Sequence, residues 1–513
     1  MKQEYFVVEG LKMQIASKLF LEEIDAICEM RKTEIRHSAD KTEIAGATYY
    51  VSNRGNDEND GKSPETAWQT LKKVSEALLQ PGDGVLFCRG DLFRGQVKVQ
   101  EGVFYGAYGT GEKPKLYGWD FSLADPALWV EADAEHHIWK MTEKILDPGT
   151  LVFNHGEYHS IKLIPSYIKG QFVCRNDESK VFSMAEEMVR DLDIFWYFEE
   201  LLTEKPSKGE RFPIPEMCSR SYGDLYLRCD RGNPGEVFAD IEAVTRRSMF
   251  AVGNKNNVHI DNICMKYVGI HAVAAGGERV KGLQVTNCEI GWIGGTIQHY
   301  FGTDPNYPQG KRGTVTRYGN GVEIYGGCDD YRVADCYIYQ CYDAGITHQV
   351  TTNGKTRLMT KVRYENNLIE KCVYGIEYFL EMTDGDTESY MEDIEMCGNI
   401  IRAGGYGWGQ QRHNTDTPAL IKGWSYENRA SKYSIHHNIF DRSAYRMLHL
   451  VAKEQSSCPD MHDNTYIQHL GGRIGQYGGN KEAEPENLVF DGQAEEKITK
   501  IFGDKNAKIY AIE

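Results

Sequence analysis

The sequence predicts an all-β protein, a parallel solenoid with a helix before it and an antiparallel domain inserted into it. Three observations carry this expectation. From residue 256 onward the chain repeats itself imperfectly, which is how a stacked-coil architecture announces itself. One column of those repeats is filled by Asn and Cys. Glycine is 52 of 513 residues, about 10% against a usual ~7%, with 31 Tyr and only 15 Pro, as short strands between tight turns require.

The repeats align as NNVHIDNICMKYVGIHAV, GLQVTNCEIGWIGGTIQH, YRVADCYIYQCYDAGITHQ, VRYENNLIEKCVYGIEYF, IEMCGNIIRAGGYGWGQ, YSIHHNIFDRSAYRMLHL and DMHDNTYIQH. In this register Ile260, Val285, Val333, Tyr364, Met396 and Ile435 face inward. Three residues later the column reads Ile263, Cys288, Cys336, Asn367, Asn399, Asn438 and Asn464. Stacked Asn side chains can hydrogen-bond along the coil axis, and Cys fills the same corner as a small apolar group. Each coil then closes on a small–apolar–x motif, as in Gly269-Ile270-His271, Gly321-Val322-Glu323, Gly345-Ile346-Thr347 and Gly375-Ile376-Glu377, with x pointing outward by the two-residue strand period.

Ahead of the repeats, residues 11–37 place Leu11, Ile15, Leu19, Ile24 and Ile27 near helical spacing, so residues 1–46 are expected to form a helical cap over an open end. Residues 47–120 read as the first part of the solenoid. Between 121 and 245, Leu225 and Leu227 alternate with polar neighbours before a Gly/Asn/Pro turn, which predicts an inserted β-sandwich. Residues 246–480 form the main solenoid, and 481–513 are expected to be a charged tail.

The opening segments carry a resemblance. YYVS, SPETAWQTL, PGDGVLFCRGDLFRGQV and YGAYGTGEKPKLYG resemble the first coils of right-handed parallel β-helix proteins of the pectin-lyase-like kind. The inserted domain resembles that of glycoside hydrolase family 120 β-xylosidases and, more loosely, family 141. The resemblance implies a right-handed parallel β-helix and a carbohydrate substrate.

Composition excludes several classes. Hydrophobic residues at 41% and charged residues at 26% exclude disorder. The net charge of −17 disfavours nucleic acid and anionic membrane as partners. No apolar run is long enough to cross a membrane, and the first residues lack a secretory pattern, so the expected location is the cytoplasm. Thirteen cysteines without zinc-type pairs predict reduced thiols and no structural metal.

The outward x column gives His271, Glu323, Thr347, Glu377 and His449, with His348, Tyr378 and Glu381 close by. A single polar residue on an outward strand position is ordinary. A column of carboxylates and imidazoles is a candidate groove. Coils stack ~4.8 Å apart, so Glu323 and Glu377, two coils apart, suit the ~6.5–9.5 Å separation of an inverting glycosidase, whereas Asp343 and Glu377, one coil apart, suit the ~5 Å of a retaining one. Asp343 precedes its glycine and is expected near a turn. An Asp followed one coil later by a Glu is similar to the nucleophile and acid/base of the family 120 enzymes, which leaves the stereochemistry open. Glu377, among Tyr378 and Phe379, is the expected acid, because desolvation raises a carboxyl pKa.

Expected substrate-binding groups are His271, His348, Tyr378, Glu381, Trp408 and His449, with Trp408 as a stacking platform for a sugar ring. Asp384, Asp386 and Glu388 alternate like oxygen ligands for Ca²⁺ but lack a full loop pattern, so no cofactor is required. The leading expectation is an intracellular, exo-acting glycoside hydrolase on plant cell-wall oligosaccharides, first of all β-xylosides. The inserted domain is a candidate for homo-oligomer contacts. The alternatives are a polysaccharide lyase or uronate epimerase, disfavoured by a column poor in Lys and Arg, and a non-catalytic carbohydrate-binding solenoid.

Overall fold

The computed structural model describes residues 14–15, 18–40, 43–168, 171–174, 177–197, 223–300, 315–412, 417–479 and 488–513. They form a parallel β-helix. Each coil contributes to three sheets in turn, as in Leu358–Glu365, then Leu368–Glu370, then Tyr374–Glu381. Successive coils pair in parallel on every face. The first and third faces are joined where Val273–Lys281 and Val322–Ala334 run through both, so that among the described residues they form one 19-stranded sheet beside a 14-stranded second sheet.

The register follows the repeats. Val285 pairs with Val333, Val333 with Tyr364, Tyr364 with Met396 and Met396 with Ile435, and all are fully buried. At the corner between the first and second sheets the amide side chains form a ladder. Asn367 Nδ2 donates to Asn399 Oδ1, Asn399 Nδ2 to Asn438 Oδ1 and Asn438 Nδ2 to Asn464 Oδ1, at 2.9–3.0 Å. Each Oδ1 also accepts the backbone N–H of the preceding rung. The ladder thereby satisfies the buried polar groups that a tight corner would leave orphaned. The residue before each rung is left-handed in every one of these coils, from Asn262 (φ 59°) through Asn366 (φ 54°) and Gly398 (φ 66°) to Asp463 (φ 58°). Asn, Asp and Gly tolerate that conformation at least cost, which explains their recurrence there.

Three expectations need correction. The N-terminal helix spans Lys18–Arg36 and lies along the outer wall of the second sheet, not across an end. Its Ile24, Cys28 and Ile35 pack on Tyr337, Leu368 and Ile400, while Ile27 is exposed. Ion pairs Arg36–Glu289, Lys32–Glu370 and Arg402–Asp25 fasten it across several coils. Ile15, expected in this helix, pairs in a strand with Ala511. Residues 488–513, expected to be a charged tail, are packed onto the solenoid. Their strand Lys508–Ile512 extends the second sheet, and Phe490, Ile498 and Phe502 plug the core.

Within 121–245 lies a five-stranded sheet that includes Trp129–Asp133, Ile138–Met141 and Asp224–Arg228, and a separate three-stranded meander. Leu225 and Leu227 face inward, packing with Leu151, Phe153 and Ile241. Those last residues belong to the antiparallel strands Pro148–Phe153 and Ile241–Thr245 at the end of the second sheet. The inserted sheet therefore takes its partner layer from the solenoid itself.

Candidate active site

The outer face of the third sheet carries one register column: Ala274, Glu323, Thr347, Glu377, Lys422, His449 and Gln476. Glu323 and Glu377 stand two coils apart, with Thr347 between them. His271 lies ahead of its strand and reaches the column sideways, its Nε2 3.0 Å from Glu323 Oε2. The backbone N–H of Asn320 donates to His271 Nδ1, so Nε2 carries the proton and donates to Glu323. Asn320 Nδ2 donates to the same carboxylate oxygen. Glu323 is thus held in place by two donors.

Glu377 is 6% exposed and sits against a different set of partners. Burial pushes its carboxyl up to about 7, with Lys422 opposing and the charge of Asp343 adding to the rise. Lys422 Nζ is 3.1 Å from Glu377 Oε1 and 3.9 Å from the centre of the Tyr374 ring. Asp343 is in the turn just before Ala344–Thr351 and is ion-paired with Arg412. The turn thus brings Asp343 into the electrostatic neighbourhood of Glu377. The pair has the elements of an acid and an anionic partner.

His449 continues the column beyond Lys422. Burial pushes its imidazole down to about 3, helped by Arg446 and Lys422, and its Nδ1 is buried without a hydrogen-bond partner. Arg473, register-paired with Arg446, likewise has a buried Nη1 without one. The face is therefore rich in cations, which corrects the expectation that Lys and Arg are scarce there. Lys422 escaped the sequence reading because its coil lacks the closing glycine, Arg412 because it lies in the loop before Ala419–Gly423, and Arg446 because it opens the next strand ahead of the outward His449. Leu420-Ile421-Lys422 is apolar–apolar–x, and allowing that variant would have found Lys422.

Three expected binding residues lie away from the groove, two because of the strand period and one because it sits in a loop. His348 and Tyr378 follow outward residues and therefore point inward. His348 is fully buried, its Nδ1 2.9 Å from Tyr364 Oη and its ring 5.5 Å from that of Tyr378, and burial alone lowers its pKa to about 3. Trp408 lies in a loop before the true third-sheet strand Ala419–Gly423. Its indole is fully buried against Tyr342 and donates to the Gln340 carbonyl at 2.7 Å. It is a packing residue. Glu381 faces outward but accepts from Thr351 Oγ1, two outward positions along the strand from Glu377. The aromatic ledge on this face consists of Tyr325, Phe379 and Trp424, with Phe379 and Trp424 ring centres 4.5 Å apart. Among Asp384, Asp386 and Glu388, Asp386 is committed to its own turn, accepting from the Glu388 N–H and the Ser389 hydroxyl.

No protein-family model and no curated protein sequence matches the chain. Solved structures similar to it include XylC in complex with xylose, at 12% identity and TM-score 0.41, covering 90% of this chain and 82% of that one. A protein described as a glycoside hydrolase matches at 10% identity and TM-score 0.42, over 90% and 96% of the two chains. A GH136 lacto-N-biosidase from Eubacterium ramulus matches at 13% identity and TM-score 0.36, over 96% and 71%. At such scores the likeness carries no weight in assigning chemistry. The β-helix stands on its own sheet topology. Among the described residues no helix is long and apolar enough to cross a membrane.

Proposed function

We propose that the chain is a glycoside hydrolase acting through Glu377 and Asp343. The observation that carries this reading is the Glu377 carboxyl, buried beside a second carboxylate and pushed up to about 7. Such a group holds a proton near neutral pH and can give it to a leaving-group oxygen. Asp343, on the preceding coil, suits the short separation of a retaining enzyme. Its carboxylate oxygen bonds to the anomeric carbon as the glycosidic C–O bond breaks and the Glu377 proton passes to the departing oxygen. Glu377 then takes a proton from water, whose oxygen displaces Asp343 and frees the sugar. Arg412 orients Asp343, Lys422 sets the acidity of Glu377, and Tyr325, Phe379 and Trp424 offer apolar faces to a sugar ring.

The substrate we propose is a short plant cell-wall oligosaccharide, first a β-xyloside, cleaved from one end. An intracellular setting fits the described cysteines, which are all free thiols. The test is a panel of aryl glycosides and oligosaccharides with wild type, Glu377→Gln and Asp343→Asn. Turnover lost in both variants supports the reading. Wild-type rates in either, or no turnover of any glycan, removes it.

One observation favours a second reading. Lys422, Arg446 and Arg473 would neutralise a uronate carboxylate, as a lyase or epimerase needs while a base removes the adjacent proton. Unsaturated uronate products from the same panel would establish it in place of hydrolysis.

A further inference from the structure

A second cluster of ligand-type side chains lies on a different face of the solenoid. His436 and His462 are outward residues of the first sheet, register-paired on adjacent coils, with rings 4.5 Å apart and nearly parallel. His437 occupies the left-handed corner position next to His436, with φ 55°. Its Nδ1 faces His436 Nδ1 at 2.9 Å. The three imidazoles each offer a ring nitrogen, and these lie within 4.8 Å of one another.

Carboxylates orient two of the rings from behind. Glu395 Oε1 is 2.9 Å from His436 Nε2, and Asp463 Oδ2 is 2.8 Å from His462 Nδ1. A ring that donates one N–H to a carboxylate presents a lone pair at its other nitrogen, which is how metal-binding histidines are usually prepared. For His436 that free nitrogen is the Nδ1 that meets His437. Two imidazole nitrogens 2.9 Å apart can share an ion at the usual ~2.0–2.1 Å metal–nitrogen distance. His436 and His462 follow Ser434 and Asp460 by two residues, and those two line a groove of about 420 Å³ on the same sheet. His437 is exposed, so solvent can complete the coordination.

We propose that His436, His437 and His462 bind one divalent transition ion of the imidazole-preferring kind, Zn²⁺, Ni²⁺ or Cu²⁺. The ion would staple two adjacent coils near the C-terminal end of the helix. It would act on stability and not on the reaction at Glu377, which lies on the third sheet.

The test uses the full chain without an affinity tag, stripped with a chelator and titrated with ZnCl₂, with MgCl₂ as control. Expected are one zinc bound per chain by calorimetry and elemental analysis, a rise in Tm with zinc but not with magnesium, and at least a tenfold loss of affinity in both His437→Ala and His462→Ala. Circular dichroism of the zinc-free variants should match wild type, since His437 is exposed and His462 half-exposed. The site is overturned by absence of stoichiometric zinc binding, or by affinity unchanged in the two His variants. It is also overturned if binding survives both of them but is lost in Cys397→Ser, because Glu395, Cys397 and His436 would then be the ligands.

Discussion

Glu377 is the residue on which the chemistry turns, and its environment makes two sharp predictions. A general acid that ionises at about 7 must leave an alkaline limb, so turnover should fall as pH rises through that value, as a pH–rate profile of kcat would show. Lys422 holds the carboxyl down. Replacing it by Met removes that cation, so the limb should move to higher pH in the same profile, and a limb that stays put would separate Lys422 from the acid. Glu377→Gln should cost roughly 10²–10⁴ in kcat, the usual worth of a positioned proton donor. Both readings rest on the same local fact, that a carboxyl buried beside a second carboxylate resists ionisation more than Lys422 favours it.

At the level of elements, the Asn ladder and the docked helix carry the stability of the coils. Asn399→Ala leaves the Asn367 N–H without its acceptor and strips partners from Asn438 and the Tyr364 carbonyl. An unsatisfied buried group costs about 1–3 kcal/mol, so thermal denaturation should show a drop of several degrees. Cys288→Ala, in the same column, should cost less, since it deletes only a small apolar group. The helix reports on a different variable. Burial would raise the Glu289 carboxyl, but Lys266 and Arg36 hold it at about 2 against an ordinary 4.5. A carboxyl depressed in the folded state stabilises above its unfolded pKa and loses that contribution as pH falls through its folded one. Helix docking should therefore weaken between pH 4.5 and 2, read as rising protease sensitivity near Arg36, and Glu289→Gln should remove that acid dependence.

For the whole molecule, the question is how a stack of parallel strands ends without exposing an edge. The C-terminal segment answers it at one end, pairing Lys508–Ile512 with Thr465–His469 and burying Phe490, Ile498 and Phe502. Removing residues 488–513 should expose both a strand edge and the end of the core, and the truncated chain should aggregate on size-exclusion chromatography. A monodisperse, soluble truncation would show that the edge is covered by other means. The three-face design also separates tasks: the second sheet is covered by the helix, while the first and third carry the histidine cluster and the carboxylates.

The sequence by itself determined the coil register, because three constraints recur from coil to coil: an inward apolar or aromatic residue, a corner rung that is Asn or a compact apolar residue, and a left-handed residue just before it. Alternation along each strand also fixes that Glu377 points out and Tyr378 in, and applying it strictly would have kept His348 and Tyr378 out of the groove. What only the tertiary structure decided concerns groups whose neighbours lie far along the chain or in irregular loops. Arg412 reaches Asp343 from a loop of no periodic register, Lys422 arrives on a coil without the closing glycine, and the helix and C-terminal segment find their places on the solenoid through surfaces made by many coils at once. Local periodicity encodes what each residue does within its own coil. Contacts between coils and loops are set by packing, and no single stretch of sequence contains that information.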